Sequence, residues 1–434
     1  MMFEKYDAYK DSGVDWIGKI PTDWFNERLG TILEPISIKG NADKDLLSIT
    51  REKGVILRDV EDDSENHNFI PDDLSNYKLL EKGQFGMNKM KAWQGSYGVS
   101  PYTGIVSPAY YIFRFIKPIY PDFFHWAIRS KTYISFFGSA SDGVRIGQWD
   151  LSKDRMKNIP FVFPNIDSQK KIVEFIKDKA GKIDQAIAIK EQQIALLNER
   201  KQIVIQKAVT QGLEPNVPMK NSGVEWIGQI PEHWELKKIK HVTSKIGSGV
   251  TPSGGGATYL DEGIPLLRSQ NIHFDRIDLN DVARISEKVH HSMSNSKVRK
   301  NDVLLNITGG SIGRCYFVET SEEMNVNQHV CILRPKKNIT SIFLNAVLAS
   351  EVGQGQIWYF QQGGGREGLN FQALKNFDIA LPPIEEQILI SKKVEEIYQQ
   401  FGNMNAHIQM QIEKLKEYKT TLINDAVTGK IKVA

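Results

Sequence analysis

The chain has 434 residues, of which 41% are hydrophobic and 25% are charged, and its formal net charge is +3 at pH 7. This ordinary globular composition excludes a disordered or fibrous chain, and the balanced charge excludes a polybasic protein. Two cysteines exclude a disulfide scaffold and fit a reducing compartment. The first residues lack the apolar core of a signal peptide, and no apolar run reaches the roughly 18 residues of a membrane span. We therefore expect a soluble, cytoplasmic protein.

An internal repeat organises the sequence. Residues 12–21 read Ser-Gly-Val-Asp-Trp-Ile-Gly-Lys-Ile-Pro, and residues 222–231 repeat them with Glu and Gln at the two variable positions. Length alone predicts about three domains. The repeat predicts instead one two-part unit that is present twice. Further counterparts, each 218 positions apart, are residues 164–169 with 382–387 and residues 208–210 with 426–428.

The first copy opens with a mixed front part, residues 1–164, with predicted strands at 104–107 and 110–115. Between residues 88 and 97 it interleaves amides, cations and aromatic rings with glycine, a combination that suits nucleic acid. A glycine-containing loop precedes an Arg-x-Gly sequence near its end. The alternatives are a solvated loop and a tight turn. The candidate DNA-binding residues are Asn88, Lys89, Lys91, Trp93, Gln94, Ser96, Tyr97 and Arg145.

A long helix is predicted for residues 165–212. Asp167 and Ser168 place acidic and capping residues at its start, and Gly212 follows its end. A helix from 167 to 211 would be roughly 65–70 Å long. Prolines then mark a linker at residues 213–220. Apolar or small residues at the three-and-four spacing of a heptad form a coiled-coil seam: Ile172, Ile176, Lys179 or Ala180, Ile183, Ala186 or Ile187, Ile194, Leu197, Val204 and Ala208.

The second copy has a front part at residues 221–382 and a helix at 383–434. Strands are predicted at 303–308 and 329–334. Its candidate DNA-binding residues are Arg268, Gln270, Asn271, Thr308, Ser311, Arg314 and Arg366. The seam of its helix has the heptad phase of the first seam: Ile390, Val394, Ile397, Phe401, Met404, Ile408, Ile412, Leu415, Leu422 and Ala426.

The two seams predict the fold class. It is α+β, with two globular domains joined by two long helices that form an antiparallel coiled coil, in a pseudo-two-fold internal repeat. The alternative is that each helix packs separately on its own front part. The repeated Ser-Gly-Val-x-Trp-Ile-Gly-x-Ile-Pro-x-x-Trp element is predicted to pack the edge of a domain. The alternative for this element is a surface that faces a partner protein.

Motifs of enzyme chemistry are missing from the sequence. It contains no P-loop, no dinucleotide-binding glycine motif after a strand and no Asn-Pro-Pro-aromatic motif of amino-methyltransferases. Cys315, His329 and Cys331 lack the paired spacing of a zinc site, so we interpret them as core or surface residues. The acidic run between residues 59 and 65 lacks a metal-loop pattern. We therefore expect a non-catalytic binding protein without a cofactor or metal of its own.

Taken together, these patterns resemble the DNA-specificity subunit of type I restriction–modification enzymes over essentially the whole chain. The resemblance rests on the duplicated opening element, the domain-ending Pro-x-Ile-(Asp/Glu)-(Ser/Glu)-Gln and the helices ending in Ala-Val-Thr. Ser107-Pro108-Ala109-Tyr110 fits the same family. One departure is Asp-Ser-Gln in the first copy, where the second has the more typical Glu-Glu-Gln.

The resemblance implies that each front part is a target recognition domain that reads one half of a split site in double-stranded DNA. The long helices would be spacers that set the gap between the half-sites. The subunit would have no catalysis of its own. Its partners would be two modification subunits, which use S-adenosylmethionine to methylate adenine, and restriction subunits, which cleave DNA. The alternative function is a coiled-coil assembly scaffold whose globular domains bind proteins.

Overall fold

The computed structural model describes residues 3–58, 70–142, 149–252, 259–361 and 368–433. The chain divides into two compact units. The first consists of Met1–Lys190 with Met410–Ala434, and the second is Glu191–Gln409. Each unit therefore contains one globular domain and a portion of both long helices. In the described ranges, no helix is both long enough and apolar enough to cross a membrane.

The first domain is built from short strands and helices, and a long helix follows it. The strands are β1 (Tyr9–Asp11), β2 (Lys19–Pro21), β3 (Phe25–Arg28), β4 (Leu33–Ile36), β5 (Leu47–Thr50), β6 (Gly54–Leu57), β7 (Lys78–Leu80), β8 (Phe85–Met87), β9 (Tyr97–Val99), β10 (Gly104–Val106), β11 (Tyr111–Phe115) and β12 (Pro160–Phe163). The helices are α1 (Leu29–Ile32), α2 (Pro121–Ile128), α3 (Lys131–Ala140), α4 (Lys153–Lys157) and the long α5 (Ile166–Gln211).

A four-stranded antiparallel sheet forms the centre of the first domain, in the order β4-β11-β8-β9. The aromatic residues of α2 and α3 cover it. Phe85 lies 5.2 Å from Phe124 and Tyr97 lies 4.5 Å from Phe137, measured between ring centroids. The hairpin β5-β6 and the pair β7-β10 extend the domain outside this sheet. A core rich in phenylalanine therefore fixes where the loops at the ends of β8 and β11 begin.

The second domain repeats the edge elements and the central sheet of the first domain in the same chain order. Its strands are β13 (Met219–Asn221), β14 (Gln229–Pro231), β15 (Glu235–Lys238), β16 (Thr243–Ser248), β17 (Ile264–Leu267), β18 (Ala283–Ile285), β19 (Val303–Asn306), β20 (Cys315–Phe317), β21 (Asn325–Val326), β22 (Val330–Pro335) and β23 (Asp378–Leu381). Its helices are α6 (Ile239–Val242), α7 (Glu287–Ser292), α8 (Ser341–Ala349), α9 (Glu351–Gln361), α10 (Phe371–Lys375) and the long α11 (Ile384–Val427).

The central sheet of the second domain has the order β16-β22-β19-β20. These four strands correspond in order to β4, β11, β8 and β9 of the first domain. The repeat therefore extends through domain interiors whose sequences differ. A separate three-stranded sheet, β18-β17-β21, is specific to the second domain and contains the parallel pair β17-β21. The repeated sequence segments lie only at the edges of the domains, whereas the structural similarity extends to the whole central sheet.

The repeated opening element packs the edge of each domain, as the sequence predicted. Trp24 and Trp234 are buried, with 1% and 0% of their surface exposed. Gly212 and Gly429 end the two long helices with φ values of 76° and 72°, a left-handed conformation that suits glycine. A Cβ at either glycine would lie 3.3 Å from the ring of the tryptophan in the same unit. The helix ends therefore require glycine for both backbone conformation and close packing.

A buried glutamine fastens the start of each long helix to its domain. The Gln169 Oε1 atom accepts a hydrogen bond of 2.8 Å from the Tyr120 backbone N–H, and its Nε2 donates to the Pro164 carbonyl at 2.9 Å. Gln387 accepts from the Thr340 N–H at 3.0 Å and donates to the Pro382 carbonyl at 2.9 Å. This shared geometry explains why both repeats place Gln at the same position.

In the first unit, the portions of α5 and α11 run antiparallel. Asp184 pairs with Lys419 at 2.6 Å, and Lys190 further along α5 bonds Gln411, which comes earlier in α11. In the second unit, Asn198 bonds Asn405 at 2.9 Å, and the Lys201 ammonium lies 5.4 Å from the Tyr398 ring centroid. In both units the two helices run in opposite directions, which confirms the predicted antiparallel pairing.

The seam prediction is wrong at one position. Met404 is 41% exposed, and the neighbouring Asn405 faces the other helix instead. Five other seam residues of the second unit share one core with the globular domain and with Ile205: Ala208, Ile390, Val394, Ile397 and Phe401. The helix pair and the domain of the second unit therefore fold around a common core.

Candidate nucleic-acid interface

The connection from β8 to β9 carries most of the candidate residues of the first domain. It forms a compact loop in which the Asn88 N–H donates to the Ser96 carbonyl at 2.9 Å, and a 3-10 turn spans Ala92–Gln94. Lys91 is exposed on this loop, whereas Lys89 and Gln94 are half-buried. The half-buried Trp93 ring lies 5.2 Å from that of Trp149. These residues form the accessible part of the predicted surface.

Three predicted contact residues lie inside the domain. Tyr97 is fully buried against Phe137, and burial raises the pKa of its hydroxyl well above the ordinary value. Ser96 is 2% exposed and Asn88 is 7% exposed. The Asn88 Oδ1 atom accepts from the Met90 N–H at 3.2 Å. The prediction of surface contacts is therefore corrected for these three side chains, because they support the loop from within.

Arg129, at the end of α2, holds this loop in place and was missed by sequence reasoning. Its Nη1 atom donates to the carbonyls of Gly95 and Tyr97 at 3.2 and 2.6 Å. Its Nη2 atom donates to the carbonyls of Arg51 and Glu52 at 3.0 and 2.8 Å. Burial lowers the pKa of the guanidinium group. The side chain thus joins the β8–β9 loop to the β5–β6 turn, and no sequence motif marks it.

In the second domain, Asn306 brings two predicted stretches together. Its Nδ2 atom donates to the Ser269 carbonyl at 2.8 Å and to the Ser311 hydroxyl at 3.2 Å. This joins the 3-10 turn Ser269–Asn271 to the 3-10 turn Gly309–Ser311. Asn306 itself is fully buried at the end of β19. The two turns therefore lie side by side, joined through Asn306.

The three predicted residues at the first of these turns differ in burial. Gln270 is exposed, and the half-buried Arg268 guanidinium lies 5.7 Å from the Tyr259 ring centroid. Asn271 is only 2% exposed, because its Oδ1 accepts from the Arg268 N–H and its Nδ2 donates to the Asp278 carbonyl, both at 3.0 Å. The Asn271 prediction is therefore corrected to a structural role.

A chain of polar side chains extends this surface. Thr308 bonds the His329 Nδ1 atom at 2.6 Å, and the His329 Nε2 atom bonds Gln328 at 2.9 Å. Thr251 donates to the Gln328 Oε1 atom at 2.5 Å. The sequence singled out Thr308 alone, and considered His329 only as a metal ligand. Its place just before β22 could have been found from the predicted strand.

Ser311 and Arg314, the other described candidates of the second domain, lie in different surroundings. Ser311 is half-buried beside Asn306, whereas Arg314 lines a cleft of about 550 Å³ with His273 and Tyr398. The cysteines are free and buried, and burial raises the pKa of the Cys331 thiol to about 12. Across the described ranges no group of acidic, histidine and cysteine side chains has the arrangement of a metal site. Arg145, Arg366 and the acidic run at 59–65 lie outside the described residues.

The candidate surfaces occupy the same place in both domains. In the first they lie on the connection from β8 to β9. In the second they lie on the connection from β19 to β20 and at the start of β22. The side chains differ: Lys89, Lys91 and Gln94 stand in one domain, where Thr308 and Ser311 stand in the other. One scaffold thus presents two chemically different polar surfaces.

Comparison with known proteins gives these surfaces a context. Residues 231–414 match the model of the type I restriction modification DNA specificity domain. The specificity subunit of the type I restriction enzyme EcoBI from Escherichia coli is 27% identical over 317 residues, which cover 71% of this chain and 65% of the relative. The putative MjaX specificity subunit from Methanocaldococcus jannaschii is 24% identical over 455 residues, 100% of this chain and 99% of the relative.

Solved structures share the fold. A chain from a structure of the type I R-M system gives a TM-score of 0.68 at 15% identity, covering 94% of this chain and 98% of its own. The HsdS subunit from Thermoanaerobacter tengcongensis gives 0.52 at 16% identity, with coverages of 95% and 98%.

Residues 231–414, which span most of the second domain and part of α11, are thus similar to the DNA specificity domain of type I restriction–modification systems. The chain as a whole is similar to the specificity subunits of type I restriction enzymes, which confirms the resemblance seen in its sequence.

Proposed function

We propose that this chain is the subunit that gives a type I restriction–modification complex its DNA sequence specificity, and that it acts in the cytoplasm. Each globular domain reads one half of a split site, and the paired helices set the gap. The main support for this proposal is that two domains with the same central sheet present different polar side chains on the corresponding connections, β8–β9 and β19–β20. Amide and guanidinium groups recognise base edges, whereas lysine, serine and threonine bind phosphates.

The chain is proposed to catalyse no reaction itself. Two modification subunits would bind S-adenosylmethionine and methylate adenine, and restriction subunits would cleave DNA. The near-neutral net charge supports this division, because a +3 chain neutralises few phosphates. Binding of duplex DNA by the chain alone is therefore expected to be weak, and binding by the complex tight.

Methylation-aware genome sequencing of cells with and without the gene tests the proposal. The expected result is one split motif whose adenine methylation disappears with the gene and returns with the wild-type copy. Exchanging residues 88–97 for the corresponding loop of a relative should change one half of the motif and leave the other half and the gap unchanged. An identical methylome in both cells refutes the proposal.

Two arginine variants separate DNA recognition from protein scaffolding. Arg145→Ala and Arg366→Ala are expected to weaken retention of the specific duplex by the purified complex, whereas the exposed Lys19→Ala serves as a matched loss of charge. Unchanged DNA retention in both arginine variants, together with loss of a bound protein, would favour the scaffold function. Incubation of the chain alone with S-adenosylmethionine or Mg²⁺ should yield neither methylated nor cleaved DNA.

A further inference from the structure

Four lysines from separate elements of the first domain converge beside the start of β11. One follows β4, one lies on β7, one follows β8 and one begins α4. We call them the lysine cluster: Lys39, Lys78, Lys89 and Lys153.

Tyr110 and Tyr111 form the floor of the lysine cluster. The Lys78 ammonium donates to the Tyr110 carbonyl at 2.7 Å. The ammonium groups of Lys153 and Lys89 lie 4.8 and 5.9 Å from the centroid of the Tyr111 ring. An aromatic face attracts a cation but does not neutralise it. The two tyrosines therefore bring the lysine ammonium groups together without neutralising their charge.

The cluster has few negative partners. Lys89 pairs with Asp150 at 2.9 Å. Lys39 bonds the neutral Asn76 side chain at 3.4 Å, and within the described part of the chain Lys39, Lys78 and Lys153 form no ion pair. Partial burial, reinforced by the charges of the other three lysines, lowers the pKa of the Lys78 ammonium. The free domain thus bears the cost of mutual repulsion, which an anion bound among the lysines would relieve.

We infer that the lysine cluster binds consecutive phosphodiester groups of a DNA duplex. This rests on the proposed function and assigns a division of labour within the first domain. The cluster adjoins the candidate base-reading loop, because Lys89 is the second residue of the β8–β9 connection. The cluster supplies sequence-independent affinity and fixes the register of the duplex, while the exposed end of the loop contacts bases. Lysine is suited to the first task because it binds phosphate as a point charge.

Salt dependence of binding measures this role. Each phosphate contact contributes about 0.9 to the slope of log affinity against log salt concentration. The double variant Lys39→Ala/Lys153→Ala removes the two exposed members, so its slope should be shallower by about 1.8. Between 50 and 200 mM salt the wild type should therefore lose roughly tenfold more affinity than the variant. The half-site sequence preference should stay the same.

The measurement uses the full chain with the subunits that co-purify with it, and compares a duplex carrying the specific site with a scrambled duplex. Lys5→Ala/Lys19→Ala removes two exposed lysines of the same domain and should leave the slope unchanged. Lys39→Arg/Lys153→Arg keeps both charges and should restore the slope.

The outcomes are distinguishable. If the wild-type protein binds the specific and the scrambled duplex equally well, the proposed function is refuted, and the role of the lysine cluster with it. Specific binding with an unchanged slope in Lys39→Ala/Lys153→Ala refutes the cluster alone. An altered preference in the first half-site at an unchanged slope also refutes it, because the lysines would then read bases.

Discussion

Replacement of Arg129 tests whether one side chain organises the β8–β9 loop of the first domain. Its guanidinium group donates to four backbone carbonyls and has no carboxylate partner within the described residues. Arg129→Met keeps the aliphatic stem and removes every donor. Arg129→Lys keeps the charge, but its single ammonium cannot reach both the β8–β9 loop and the β5–β6 turn in one geometry.

The size of the effect follows from the four bonds. A hydrogen bond from a charged donor contributes about 1.5–3 kcal/mol when buried. The bonds to Gly95 and Tyr97 are partly buried, whereas those to Arg51 and Glu52 are exposed and contribute less. Because the desolvation of the guanidinium offsets part of this gain, we expect Arg129→Met to lower the free energy of unfolding by about 3 kcal/mol. That corresponds to a decrease in Tm of roughly 6–12 °C.

Thermal unfolding and amide hydrogen exchange measure the two consequences. The amides of residues 88–97 and 51–54 should lose protection in Arg129→Met, with Arg129→Lys intermediate. Arg155→Met is the matched control, because Arg155 forms an exposed ion pair with Asp142 at 3.0 Å, worth at most about 1 kcal/mol. Lower stability with unchanged exchange at residues 88–97 would refute the idea that Arg129 positions the loop.

Three other perturbations have defined outcomes. The His125 Nδ1 atom accepts from the Val99 N–H, and burial lowers the pKa of His125 to about 4. Because the folded protein holds His125 neutral, the free energy of unfolding should fall as the pH falls from 6.5 towards 4, by about 2 kcal/mol between pH 7 and pH 5. Chemical denaturation of His125→Gln at the two pH values should not show this decrease. Asn198→Leu/Asn405→Leu should raise the Tm, because the asparagine pair gives register specificity at a cost in stability. Asn198→Leu alone should lower the free energy of unfolding by about 1 kcal/mol, because it leaves Asn405 unpaired. An unchanged Tm in both variants would contradict this. Removal of one heptad from each long helix should shorten the gap in the methylated motif and keep both half-site sequences, and a changed half-site with an unchanged gap would refute the spacer role.

The sequence predicted those features that depend on regular periodicity or on repetition. The predicted helix at 165–212 agrees with α5 at Ile166–Gln211, because a heptad pattern sustained over many turns leaves few alternatives. The predicted strands at 110–115 and 329–334 agree with β11 and β22. Met404 is the exception on the helices: both its apolar character and its heptad position favoured it for the seam over its polar neighbour Asn405.

The candidate interface was less predictable, because residue type does not determine which way a loop side chain points. Tyr97 and Asn271 suit nucleic acid by chemistry, yet both are buried. Arg129 was missed because its partners are carbonyls as far as 78 residues away along the chain. Backbone acceptors carry no sequence signature, so such a contact becomes visible only once the sheet brings the segments together.

The two copies differ where change costs little stability. Gln169 and Gln387 lie in buried hydrogen-bond networks that fasten a helix to a domain, and replacing either would leave buried backbone groups unpaired. The exposed or half-buried positions on the β8–β9 and β19–β20 connections carry no comparable penalty, since substitution of surface side chains changes stability by about 0.5 kcal/mol or less. In the proposed function, DNA sequence preference can therefore change in one domain without refolding it. This separation of the scaffold from the candidate surface allows new targets while the partner subunits stay the same.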